Sequence, residues 1–344
     1  MARKAFSSFI TLLLIPSICH GLVVETCEEL QAAFELSSTQ DVEIELEPYR
    51  DIECETFTNM TMSSNTVTVT SSGSSALRRV RLEVINGAKL FWNAPAIFEG
   101  FGAEEENVVS GGAVFVGKGS TVRFMNDLTM TDVSRIISQR DGDFAAFQTH
   151  GGCVWTAGYF RVDGKATFTR CDIGGAGEDP PGNGGAIYVA KTGSVLFNLG
   201  VDISETYIAD DGAGAGGGIY NLGKVTVKGD SRFEELSASY GSAIFNGKGA
   251  AFTFKNQASA VFRSLSDRDM EAGALFNRGV CKFSGPALFM DVDTPVIVAK
   301  DDSTTVLSED SVFWRTEDFP RDALSVSGDA DITLPNSVVF VGFD

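Results

Sequence analysis

Six times along its middle the chain returns to the same short pattern: two small residues, a third small one, an aliphatic, then an aromatic. The copies begin Gly111-Gly112-Ala113-Val114-Phe115, Gly151-Gly152-Cys153-Val154-Trp155 and Gly184-Gly185-Ala186-Ile187-Tyr188. They continue as Gly216-Gly217-Gly218-Ile219-Tyr220, Gly241-Ser242-Ala243-Ile244-Phe245 and Ala272-Gly273-Ala274-Leu275-Phe276. The spacing is roughly 25 to 40 residues, one supersecondary unit per copy. Each copy is too short and too rich in glycine for a helix. On a strand the adjacent aliphatic and aromatic point to opposite faces. The small residues before them suit a tight corner or a close approach of backbones, and are expected on the face opposite the aliphatics.

Each copy is followed by apolar residues at period two. Val122 and Phe124, Phe160 and Val162, Val195 and Phe197, and Val225 and Val227 belong to one series, continued by Phe252 and Phe254 and by Cys281 and Phe283. Phe168, Ile203, Phe233, Phe262 and Phe289 form the next. Three short strands per unit, with no helix between them, cannot bury their own apolar face. Stacked on neighbouring units they can. The expected fold is all-β: a single-stranded right-handed parallel β-helix with a short N-terminal capping helix.

The rest of the chain fits around that stack. Arg3 and Lys4, the apolar run Phe9 to Ile15, and the small residues Cys19 and Gly21 read as a signal peptide over 1–21. The apolar run is too short to span a bilayer, and no transmembrane segment is expected in the mature chain. One domain is expected over 22–344. Its cap occupies 22–40, where Thr26-Cys27-Glu28-Glu29 has the form of a capping box and Leu30, Ala33 and Phe34 follow at helical spacing. Asp41 to Glu47 alternates apolar and acidic residues, as a strand should. The Gly-Gly units fill 111–292, and weaker strand signals carry the stack to the end.

Certain side chains fall into columns. Val114, Val154, Ile187, Ile219, Ile244 and Leu275 should line the core. Asn221, Asn246 and Asn277 follow the aromatic in three consecutive units, and stacked amides can bond along a column. The aromatics themselves form a column that serves either as packing or as a sugar-stacking platform. Loss of Cys19 from the six cysteines leaves five. In a secreted chain they are expected to pair. Cys27–Cys54 would staple the cap to an early strand, and Cys153–Cys171 would join two ends at one corner. Cys281 would remain a buried thiol. Asn59-Met60-Thr61 is a glycosylation sequon.

The chemistry offers less. The mature chain has one histidine, His150, which argues against a His-based triad or a His-rich zinc site. Gly174 to Asp179 matches the start of a calcium-binding nonapeptide, but in a single copy of a Gly-rich chain and without the aliphatic that should follow, so the match reads as coincidence. The insertions ahead of the Gly-Gly strands are acidic, and with a net charge of −19 they read as a rim. That rim serves solubility, a cationic partner, or Ca²⁺ held by Glu178, Asp179, Asp210 and Asp211. No other cofactor is expected. A strongly acidic chain disfavours nucleic acid as a partner. Arg123 and Arg161 fall on the outer face one unit apart and are candidates for contact with an acidic sugar.

The copies from Gly111 to Phe276 resemble the GGA[IVL] repeats of the polymorphic outer membrane protein family and, more widely, the right-handed β-helices of the pectin-lyase-like group. The likeness covers about half the chain. It implies a secreted or surface-displayed β-helix acting as an adhesion, carbohydrate-contact or structural protein, with a carbohydrate or extracellular protein as partner. The second reading is a polysaccharide lyase, epimerase or hydrolase of the pectin-lyase-like fold. Hydrolases of that group carry Asn-Thr-Asp, Asp-Asp, Gly-His-Gly and Arg-Ile-Lys motifs. Here Asp210-Asp211 is preceded by Thr149-His150-Gly151 and the other two are absent.

Overall fold

The computed structural model describes residues 21–103, 112–137, 150–175, 182–209, 214–267, 273–293, 295–315 and 322–343. Among these are thirty-two strands and one helix, and every strand pairing is parallel. The helix, Cys27–Leu36, starts at Thr26, whose side chain accepts from the Glu29 backbone while the Glu29 carboxylate accepts in return. This capping box satisfies amides that the first turn leaves open. Leu30, Ala33 and Phe34 are buried on one side of the helix, against the first strands.

Twelve strands form one sheet, from Leu22–Val24 through Lys89–Asn93, Thr121–Phe124 and Tyr159–Val162 to Asp331–Thr333. The other twenty pair in a second network. In both, a strand pairs with its equivalent in the next unit. Val154 lies opposite Val114 on one side and Ile187 on the other. Ile219 lies between Ile187 and Ile244. Register is held because a one-residue slip would turn the aliphatics to solvent. All six aliphatics of the Gly-Gly strands are fully buried, as are Phe168, Ile203, Phe233 and Phe262. They belong to one continuous apolar cluster that runs from Val24 to Ala323. The strand Leu324–Val326 had no clear signal in the sequence.

The two glycines of each pair are needed for different reasons. Gly184 has φ +73° and Gly216 +69°, the left-handed region where a side chain is strained. Gly185 and Gly217 instead lack room: a Cβ on Gly185 would fall 2.1 Å from the Gly217 carbonyl oxygen. The third small residues are not on the face opposite the aliphatics. Ala113, Cys153, Ala186, Ala243 and Ala274 are all fully buried, because the backbone bends at the glycine pair and the alternation of a strand starts only after it.

A second corner takes a glycine at Gly100 (φ +68°) and other residue types in the units that follow. Asp132, Arg170, Glu205, Glu235, Ser264 and Asp291 all have φ between +51° and +56° and occupy equivalent positions in successive units. Each breaks a long strand into two straight segments. Non-glycine residues are uncommon at such φ, and the run is held by pairing on both sides of the bend.

Candidate functional site

The carboxylates nominated for Ca²⁺, Glu178, Asp179, Asp210 and Asp211, lie outside the described residues. So do the acidic insertions 104–106, 141–143 and 269–271. Among the described residues no group of three or more His, Cys, Asp or Glu side chains is arranged to hold a metal ion.

Arg123 and Arg161 lie directly opposite each other on adjacent strands of the twelve-stranded sheet, with side chains outward. Both point their Nε at one carboxylate. Arg123 Nε is 2.6 Å from Asp163 Oδ2, and Arg161 Nε is 2.6 Å from Asp163 Oδ1. The Asn198 amide also donates to Asp163. Burial works against the charged carboxyl of Asp163, but the two guanidiniums outweigh it and hold its pKa below the usual range. Asp163 was not singled out from the sequence. It ends its strand one position past the alternation, and only the register brings it between the two arginines.

The aromatic column is continuous. Phe115 and Trp155 have ring centroids 4.4 Å apart at 3°, Trp155 and Tyr188 6.2 Å at 6°, and Tyr188 and Tyr220 5.2 Å at 5°. Phe245 and Phe276 continue it at 4.6 and 5.3 Å. His150 stacks on Tyr188 at 4.3 Å. The rings therefore use their faces on one another and turn edges outward. The two ends are also covered, by Arg81 over Phe115 and Lys300 over Phe276, each 5.3 Å from the ring centroid. A sugar ring stacks on an open aromatic face, and this column offers edges. Packing is the role its geometry supports.

The asparagines form a buried ladder. Asn221 Nδ2 donates to Asn246 Oδ1 at 2.8 Å, Asn246 to Asn277 at 2.8 Å, and Asn277 to Thr305 Oγ1 at 2.8 Å. Each second amide hydrogen reaches a backbone carbonyl, of Ala251, Val280 or Thr304. The cysteines pair as Cys27–Cys54 and Cys153–Cys171, with Cα atoms 5.2 and 5.4 Å apart. Cys281 is a free thiol, fully buried, and burial pushes its pKa up. Asn59 lies on the exposed side of the strand Ile52–Ser63, its amide donating to Glu83 at 2.9 Å.

The left-handed corner carries charge as well as strain. Arg170 bridges Asp132 and Glu205, the equivalent residues of the units before and after it. The sequence gives no hint of this arrangement, since the residues share neither type nor flanking glycines. No known protein family, curated protein or solved structure matches this chain.

Proposed function

We propose that the chain is a secreted or cell-surface protein whose parallel strands wind as one right-handed β-helix, and that it acts by surface contact, as an adhesion, carbohydrate-contact or structural protein. Parallel strands joined by crossovers in one sheet are almost always right-handed. The observation that carries the reading is the twelve-stranded sheet, in which equivalent strands stack in register from Leu22 to Thr333 and leave one long face outward. Such extended faces are what stacked-repeat proteins use for binding. Two disulfides suit an oxidising compartment. The aromatic and asparagine columns are engaged within the stack, so contact falls to the sheet faces and loops.

The test combines binding with turnover. The purified protein is applied to arrays of glycans and extracellular proteins, and the same glycans are assayed for new double bonds and reducing ends, with and without Ca²⁺. Retention without product is expected. Product formation would establish the lyase, epimerase or hydrolase reading instead.

A further inference from the structure

The chain has 27 basic and 46 acidic residues, yet one part of its surface reverses that balance. Across the seven strands of the twelve-stranded sheet from Lys89–Asn93 to Val280–Phe283 there are five cations and no carboxylate. They are Lys89, Arg123, Arg161, Lys224 and Lys282, all at outward positions. Lys228 and Lys255 extend the face where their strands end. Lys118, Lys191 and Lys248 are exposed on the turns that lead into it. Asp163 is the acid within this area, and it is occupied by Arg123 and Arg161. None of Lys89, Lys224, Lys228, Lys255 and Lys282 makes an ion pair among the described residues.

A like-charged strip of this kind is costly to maintain. Neighbouring rungs rise about 4.8 Å, where two unit charges repel by roughly 1 kcal/mol even in water. The placement limits that cost without removing the charge. Arg123 and Arg161, the directly stacked pair, have Asp163 between them. Lys224 sits in the neighbouring column, and Lys282 is separated from Thr226 by Thr253. Four of the outward positions among the cations carry hydroxyls, at Thr121, Tyr159, Ser194 and Thr253. Phe91 and Leu196 are half-buried, and the exposed apolar side chains Met125 and Val280 sit on widely separated rungs, so the face presents no clustered apolar side chains of the kind that insert into a membrane.

We infer that this face docks an extended anionic polysaccharide, its sulfate or carboxylate groups meeting the cations rung by rung and its hydroxyls meeting those of the sheet. This rests on the contact reading above and names the ligand class. The net charge of −19 does not forbid it, because at physiological salt charges beyond about 8 Å are largely screened and the local cations dominate at contact.

The experiment measures binding of the full protein to immobilised dextran sulfate, polygalacturonate and neutral dextran at about 50 and about 150 mM salt. Anionic vesicles and single-stranded DNA serve as competitors. Two charge-matched variants are compared, Lys224→Glu with Lys282→Glu, and Arg232→Glu with Arg263→Glu on the other network of strands. Expected is salt-sensitive binding to dextran sulfate, polygalacturonate or both, which tells the sulfate from the carboxylate source. The lysine pair should weaken it about tenfold or more and the arginine pair little. Unchanged circular dichroism and melting confirm that both variants fold. Equal weakening by the two pairs, no binding to either polyanion at low salt, or displacement by vesicles or DNA at lower concentration than by free polysaccharide would each overturn the inference. The contact reading would survive any of these if another glycan or protein on the arrays is retained.

Discussion

Asn246 accepts a hydrogen bond from Asn221 at 2.8 Å, and neither side chain reaches solvent. The bond is one step of a chain in which each amide donates onward to the next rung. Asn246→Ala would leave the Asn221 amide without its acceptor, and Asn277 Oδ1 and the Val280 carbonyl without their side-chain donor. An unsatisfied buried polar group costs about 1–3 kcal/mol. Chemical denaturation should show a loss near the upper end of that range, since three groups lose a partner at once. Asn246→Asp should cost more, because it also buries a charge with no counter-ion in the ladder.

Ile219 is fully buried between Ile187 and Ile244. Ile219→Val should cost about 0.5–1.5 kcal/mol and Ile219→Asp several-fold more, enough to unfold the protein or lower its melting point sharply. An aspartate tolerated at this site would mean that the aliphatic column does not face the core.

The disulfides predict a simple map. Non-reducing digestion should yield Cys27 linked to Cys54 and Cys153 linked to Cys171, with Cys281 alkylated only after denaturation. Replacing Cys153 and Cys171 together should lower stability by about 3 kcal/mol, the loss of a short closed loop in the unfolded chain.

Acid should act through Asp163. Its folded pKa lies below the unfolded value of about 3.9, so its charged form stabilises the fold above that pH. The contribution is lost as pH falls through the folded value. Asp132, held low first by its hydrogen bond from Arg170, behaves in the same way. Asp163→Asn should therefore lower stability near neutral pH and flatten the acid limb of a stability–pH curve measured by denaturation between about pH 6 and 2. An unchanged acid limb would show that the arginines do not hold this carboxyl.

Much of this architecture can be read without coordinates, for physical reasons. Burial at period two marks Val122 with Phe124 and Phe160 with Val162, and period two admits a strand and little else. The glycine pairs betray their corner because side chains are strained or crowded at most of these positions, Ser242 being an exception. The left-handed corner of Asp132, Arg170 and Glu205 leaves no such trace. Its backbone is held by pairing on both sides, so the local sequence is free to vary. The role of Asp163 and the basic face are hidden for another reason. Net charge is a sum; period two turns Arg123 and Arg161 outward one unit apart, and only the register adds Lys224 and Lys282 to the same side of the same sheet.

The glycine corner also separates two kinds of information in this chain. Paired core residues lie 40 positions apart from Val114 to Val154 and only 25 from Ile219 to Ile244, yet the strands keep the same register. At Gly112, Gly152, Gly185 and Gly217 the carbonyl of the next rung fills the space left by the missing Cβ and re-sets the spacing. Whatever enters the corner, the same geometry leaves it. Loop content can therefore drift, lengthen or be exchanged for foreign sequence while the scaffold stays constant, so the stack is suited to carrying variable surface sequences on an invariant frame.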